Sequence, residues 1–348
     1  MMVGGEYLED GSPEMAEMVE ATPAAEVEDT VEAEVVGTVV GSDVESGAVT
    51  ASPMEDFSRI GDPGRQLRVV PRPGPLTSGV ADTEIDFFSI ESLEIRACSS
   101  RGLSHRHAGT PRQDAFCLAA GADQLVVAVA DGVSQGKHSQ YAARAAVEVI
   151  CTQLVDANDA FGDFPWGELA ESVSNAITEE AIRREIVVLH ERPSGADITR
   201  LVRHAMSTTA VAAVIALRPD ENGVHQTRVA VLAGDSGAYQ LVGGVIRSVA
   251  GGKDEDGSGL THTSVKPLPG PAAPSLTDVE LHKGEALILT SDGIGDPLGD
   301  GSEDLGSELA TRWAAPPTAT EFFNDVNFLR RTYDDDRTAV VVWVVNGR

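Results

Sequence analysis

Three apolar runs in the chain end in the same way, and that repeated ending limits what the chain can fold into. LVVAVA (125–130) stops on Asp131-Gly132, VAVLAG (229–234) on Asp235-Ser236 and LILTS (287–291) on Asp292-Gly293. A fourth acidic group, YDDDRT (333–338), stands immediately before the very apolar TAVVVWVV (338–345). Short runs rich in β-branched residues and closed by turn residues read as buried strands. One Asp-Gly pair is an ordinary turn. Four acidic strand ends are a pattern, because strands of one sandwich can bring their ends to a common rim. Unpaired carboxylates repel there, and a divalent cation is the simplest physical reason to assemble them.

The rest of the chain supplies the sandwich. LEIRACSS (93–100), DAFCLAA (114–120), TTAVAAVIAL (208–217), AYQLV (238–242) and VIRSV (245–249) are further strand-like runs, and Gly243-Gly244 between the last two is a two-residue hairpin signal. Two helical blocks interrupt them. SQYAARAAVEVICTQLVDA (139–157) places Ala143, Ala146, Val147, Ile150, Cys151 and Leu154 on one face, with Ser139 as its expected cap, and WGELAESVSNAITEEAIRREIVVLH (166–190) predicts a second helix. A further helix is expected near Glu321–Arg331. Helices grouped between runs of strands predict an antiparallel α+β sandwich rather than a doubly wound parallel fold. The ordered chain is expected to begin near Ile90.

Charge divides the chain. Met1–Thr50 holds thirteen Asp or Glu and no Lys or Arg, so nearly half of the net −29 lies in a segment with few aromatics. Such a segment buries too little surface to offset its chain entropy, and residues 1–79 are expected to form a disordered acidic tail followed by a Pro/Gly-rich linker. The folded domain is then 90–348. This charge argues against a nucleic-acid binder, which needs clustered Lys and Arg. No run approaches the roughly 20 apolar residues of a membrane span, and, with neither a basic nor an apolar stretch in MMVGGEYLED, no secretory signal is expected. Cys98, Cys117 and Cys151 lack CxxC spacing, which points to a reducing compartment without disulfides or structural zinc. A cytoplasmic location is the expectation. Oxygen donors without Cys, and without His beside the Asp-Gly pairs, suit hard cations such as Mn²⁺ or Mg²⁺.

At this point the chain resembles the metal-dependent PPM-type protein phosphatases, the phosphatase-2C-like Ser/Thr phosphatases, in a divergent bacterial branch. The motifs run in family order from about Leu93 to Val345: GTPRQDAF (109–116), VADGVSQG (129–136), STTA (207–210), AGDSGAY (233–239), TSDGIGD (290–296) and DDRTAVVV (335–342). The resemblance implies a four-layer α-β-β-α sandwich, two central antiparallel sheets flanked by helices. It implies two Mn²⁺ or Mg²⁺ ions: Asp131 bridging both, Gly132 offering its carbonyl, and Asp292 and Asp335 completing the first site. Asp114 is implied as a ligand or as the acceptor that holds metal-bound water. Asp235 and Asp296 match the residues of a third, weaker ion in some bacterial members. The implied reaction is direct attack of metal-activated water on phosphoserine or phosphothreonine, in a protein substrate opposed to a Ser/Thr kinase.

Three positions depart from the family pattern. Gly109 stands where many members have a phosphate-binding Arg, Gln113 replaces an acidic residue, and Val133 replaces the His proposed as general acid. His105, Arg106, His107, Arg112, Lys137 and His138 are the cationic residues near the motifs, and His105 is the first choice for a proton donor. The same departures support a rival reading, a pseudophosphatase that keeps the fold to bind a phosphorylated partner or act as a scaffold. Thr22 and Thr30, set among acidic residues, make the tail a candidate docking segment once phosphorylated. Ser236 has no GxSxG context, so serine hydrolysis is disfavoured.

Overall fold

The computed structural model describes residues 58–62, 80–157, 159–187, 194–252 and 266–346. The expected acidic tail and most of the expected linker lie outside the described residues, as does 253–265 of the Gly/Pro-rich stretch. In chain order the elements are β1 (Ser58–Arg59), β2 (Thr83–Ile90), β3 (Leu93–Ser100), α1 (Leu103–Ala108), β4 (Ala115–Ala120) and β5 (Gln124–Ala130). A helical block follows: α2 (Ser139–Val155), α3 (Trp166–Arg183) and α4 (Gly195–Ala205). Then come β6 (Ala210–Ala216), β7 (His225–Ala233), β8 (Gly237–Val242), β9 (Val245–Ala250), β10 (Ser275–Leu281) and β11 (Ala286–Thr290). The chain closes with α5 (Asp292–Leu298), α6 (Asp304–Arg312), α7 (Ala319–Val326), β12 (Phe328–Leu329) and β13 (Arg337–Val344).

Two antiparallel sheets form the centre, a five-stranded one ordered β10-β7-β6-β5-β4 and a six-stranded one ordered β2-β3-β13-β11-β8-β9. Alternation of side chains assigns each strand to two cores at once. Leu125, Val127 and Val129 of β5 face Leu287, Leu289, Val340 and Val342 of the other sheet, in the core between the sheets. Val126, Ala128 and Ala130 point the opposite way, into a cluster with Ala143, Ala146, Val147, Ile150 and Leu154 of α2 and Val173 and Ile177 of α3. Beyond the six-stranded sheet, Ile288, Val341 and Trp343 pack on Trp313, Phe322 and Val326 of the α6–α7 side. Ring centroids there lie 5.3 Å apart for Trp313–Phe322 and 6.1 Å for Phe322–Trp343. The result is the expected α-β-β-α layering, in which each fully buried aliphatic side chain contributes roughly 1.5–3 kcal/mol. Strands buried on both faces also explain why β5, β11 and β13 read as continuous apolar runs.

Several local expectations need correcting. The predicted cap Ser139 is the first residue of α2 rather than its N-cap, and its hydroxyl instead donates to the Val133 carbonyl at 2.8 Å. Helix α3 ends at Arg183, earlier than the expected 190, with an Arg184 cap. Helix α7 stops at Val326, before Phe328–Leu329 pairs in parallel with Ser58–Arg59. Strand β2 lies ahead of the expected start near Ile90. The β8–β9 hairpin turns on Gly243 and Gly244 as expected, with φ of 58° and 78°, a left-handed pair that side-chain-bearing residues adopt poorly. Among the described residues no helix is long and apolar enough to cross a membrane.

Candidate active site

The strand ends converge as the apolar runs suggest, and they do so from both sheets. Asp114 precedes β4, while Asp131 and Asp235 follow β5 and β7, all in the five-stranded sheet. Asp292 follows β11 and Asp335 precedes β13 in the six-stranded sheet, with His105 in α1 after β3. The halves meet where the Asp292 N–H approaches Asp131 Oδ2 at 3.4 Å. A cavity of about 290 Å³ opens on this rim, lined by Ser104, Asp292, Gly293, Asp296, Asp334 and Asp335 among others.

Each loop is pinned by its own hydrogen bonds. The Asp131 carbonyl accepts from the Thr209 N–H and the Thr208 hydroxyl, both at 2.8 Å, so the small-residue strand STTA clamps the first Asp-Gly turn. Gly132 forms an isolated antiparallel bridge with Thr208. Asp114 is buried and accepts from the Thr338 hydroxyl at 2.8 Å, with Ser291 as a further side-chain partner. Thr338 and Ser291 also tie β13 to the start of α5, through the Thr338 N–H on Ser291 Oγ at 3.0 Å. Asp292 is the first residue of α5, where the positive end of the helix favours a carboxylate, and Asp296 follows one turn later.

The electrostatics are those of carboxylates crowded without enough positive charge. Burial pushes the Asp131 carboxyl well above its usual value, and Asp292, Asp114 and Asp335 add to the shift. Asp114 is raised by burial and by Asp336. Asp292 is raised to about 6 by burial, with the Asp131 hydrogen bond opposing and Asp335, Asp296 and Asp235 reinforcing. Asp335 is raised by burial and by Asp336. Asp114, Asp131, Asp292 and Asp335 are thus linked electrostatically, and Asp235 and Asp296 join the set through Asp292. An all-oxygen set of mutually destabilising carboxylates fits hard divalent cations, which remove the repulsion that the protein alone leaves in place.

His105 is buried beside this cluster. Its Nδ1 lies 2.8 Å from the Pro111 carbonyl and 3.2 Å from Asp336, and its Nε2 lies 3.4 Å from Asp335. Burial opposes its charged form, but the Asp336 hydrogen bond and the charges of Asp336 and Asp335 prevail and raise it to about 9. Asp336 was not among the expected residues. Its carboxylate accepts the Gly102 N–H at 2.7 Å and the Gln113 N–H at 2.5 Å, so it fastens both ends of the first-motif loop. One ligand atom each from His105, Asp335 and Asp336 lies within 4.8 Å of the others, close enough to share a cation. Both Asp336 carboxylate oxygens and His105 Nδ1 are already bonded to the loop, whereas the Asp335 side chain is 43% exposed and faces the cavity.

The other cationic candidates are placed elsewhere. Arg112 is fully buried, donating to the Ser99 carbonyl at 3.0 Å and paired with Glu84, so it does not replace the phosphate-binding Arg. Arg106 donates to the Arg101 carbonyl at 2.9 Å, and the His138 ring stacks on Tyr141 with centroids 6.4 Å apart. A run of three aspartates gives sequence reasoning no way to separate Asp335 from Asp336. The arrangement of backbone N–H donors that distinguishes them comes from segments more than 200 positions away.

Comparison with known proteins bears on the fold and the family. The family model for protein phosphatase 2C matches residues 101–327. A bacterial serine phosphatase superposes with a TM-score of 0.51 at 16% identity, covering 74% of this chain and 99% of that one. The catalytic domain of the serine/threonine phosphatase PstP, solved with two manganese ions, has a TM-score of 0.49 at 22% identity over 73% and 99% of the chains. The S. agalactiae serine/threonine phosphatase gives 0.49 at 17% identity over 75% and 99%. No curated protein sequence matches the chain significantly. With the matched family model spanning well over half of its length and the two-sheet sandwich shared with a phosphatase structure, the chain belongs to the protein phosphatase 2C family.

Proposed function

We propose that the chain is a Mn²⁺- or Mg²⁺-dependent phosphoprotein phosphatase that removes phosphate from serine and threonine. The observation that carries this reading is the carboxylate crowd at the rim, assembled from both sheets beside one cavity. In this reading Asp131, Gly132 through its carbonyl, Asp292 and Asp335 would hold the cations. Asp235 and Asp296 serve a third, weaker ion. When bound, such ions lower the pKa of water and neutralise phosphoryl oxygens. Asp114, fixed by Thr338 and Ser291, orients the attacking water, and His105 gives the proton from Nε2 to the departing serine or threonine oxygen. The substrate would be a cytoplasmic phosphoprotein that a Ser/Thr kinase supplies. Residues 90–348 would be the catalytic domain, with the acidic segment before it docking a partner through Thr22 or Thr30.

The test is hydrolysis of p-nitrophenyl phosphate and of a phosphothreonine peptide with Mn²⁺, Mg²⁺ or chelator, beside Asp131→Asn. Metal-dependent turnover that falls at least about 10³-fold in the variant is expected; full activity in Asp131→Asn would overturn the assignment. The second reading, a pseudophosphatase that binds a phosphorylated partner, is favoured by Gly109, Gln113 and Val133 and by the burial of Arg112. It predicts folded, metal-binding protein with no turnover.

A further inference from the structure

The phosphatase reading leaves two of the three thiols without a role. Cys117 lies in β4, the edge strand of the five-stranded sheet, and is partly exposed. Cys151 is buried on the inner face of α2, in the cluster that covers β4 and β5. Cys117 packs against that same cluster, and each thiol acts on the other. Arg144 and Glu148 flank Cys117, and they share the Cys151 side of α2 because positions 144, 148 and 151 follow helical spacing. The third thiol, Cys98, sits fully buried in β3 within the cluster beyond the other sheet, where burial pushes it up to about 12.

We propose that Cys117 and Cys151 are an oxidation site at which hydrogen peroxide converts the two thiols into a reversible disulfide between β4 and α2. Reactivity at Cys117 has a local cause: the Cys151 side chain, with Arg144 nearby, holds its thiol below the usual value despite burial and Glu148. The Cys117 thiolate attacks one peroxide oxygen, forming an S–O bond as the O–O bond breaks and hydroxide leaves; that hydroxide takes up a proton from solvent. Cys151 then attacks the sulfenic sulfur, the S–S bond forms, the S–O bond breaks, and the departing hydroxide leaves with the Cys151 proton as water. Two electrons pass from the thiol pair to one peroxide, giving two waters.

The position of the pair gives the bond a consequence. The cysteines are 34 positions apart, and the enclosed loop carries Asp131 and Gly132. Cys117 lies three residues beyond Asp114, about 10 Å along the strand. Oxidation therefore staples the two elements that support one half of the rim without touching the carboxylates themselves. Neither thiol belongs to the metal cluster, so the site can be tested whether or not the chain is a phosphatase.

The experiment uses the reduced full-length chain, stoichiometric hydrogen peroxide, peptide mass mapping and thermal unfolding. The expected result is loss of two hydrogens per chain in a monomeric product, a Cys117–Cys151 linked peptide, free Cys98, and an unfolding midpoint raised by about 5 °C or more and restored by dithiothreitol. Cys151→Ser should instead accumulate a dimedone-reactive sulfenic acid at Cys117 with no rise in midpoint. Terminal oxidation of Cys117 in the wild-type chain with Cys151 still reduced, unmodified thiols after peroxide, or disulfides only between chains would each overturn the proposal. Wild-type mapping decides the question even if a cysteine variant fails to fold.

Discussion

Replacing Gly293 by Ala tests whether the rim is held rigidly. Gly293 is the second residue of α5, and its φ is ordinary, so an alanine costs nothing in backbone conformation. The space is the obstacle: a Cβ built there lies 1.9 Å from the Asp336 carbonyl oxygen, where about 3.0 Å is the closest real approach, so about 1.1 Å must be found. Neither side yields easily. The Asp336 carboxylate is fastened to the Gly102 and Gln113 N–H groups, and the start of α5 is bonded through Ser291 to Thr338 in both directions. The displacement must therefore appear as a separation of the Asp292 turn from the Asp335–Asp336 turn. A misplacement near 1 Å costs on the order of 10²-fold in turnover, and overpacking costs about 1–3 kcal/mol, equivalent to a midpoint lower by about 3–10 °C. Mn²⁺-dependent hydrolysis, unfolding midpoint and the Mn²⁺-induced midpoint shift report the three effects. Gly295→Ala is the control: its nearest neighbours are the Thr290 and Tyr239 hydroxyls at 3.2 and 3.3 Å, and less than a tenfold loss is expected. A Gly293→Ala variant with wild-type turnover and a midpoint within 1 °C would refute the rigidity argument.

Other perturbations address separate links. The raised Asp292 pKa, about 6 against 3.8, means that its contribution to metal-free stability is fully present below pH 3.8 and lost as pH rises through 6. Metal-free protein should therefore lose stability between pH 5 and 7.5 more steeply than Asp292→Asn; parallel curves would contradict the shift. Arg112→Lys should lower stability by about 2–4 kcal/mol, by loosening a buried pair and its hydrogen bond to Ser99, while KM for a phosphopeptide stays unchanged; a large KM effect would make Arg112 a substrate ligand. Leu289→Ala, in the core between the sheets, should cost about 2–5 kcal/mol in urea unfolding. Gly167→Ala, with open space at the start of α3, should gain about 0.4–1 kcal/mol, and a loss would show a hidden contact.

Legibility followed how locally each feature is encoded. The apolar runs of β5, β11 and β13 need no partner to be recognised, because both faces are buried and all but their end residues are apolar. The carboxylates at their ends are equally visible. Strand β2 hides because TEIDFFSI mixes polar and apolar residues on both faces, leaving Ile85 and Phe87 exposed, with Arg96 5.9 Å from the Phe87 ring centroid. Helix α5 hides because DGIGDPL carries two glycines and a proline, so its propensity argues against a helix; tertiary bonds through Ser291 and Thr338 override it. The roles of Asp336 and Arg112 depend on partners distant in sequence, Gly102 for one and Glu84 for the other, and spacing alone cannot reveal such closures.

The division of the rim between the sheets makes the core a ruler for the site. Asp114, Asp131 and Asp235 ride on one slab, Asp292 and Asp335 on the other, and the layer of Leu, Val and Ala between the slabs sets their offset. A methyl added or lost deep in that layer shifts one half of the cluster against the other, although no acidic residue has changed. The thickness of the inter-sheet layer is thereby tied to the spacing of the carboxylates.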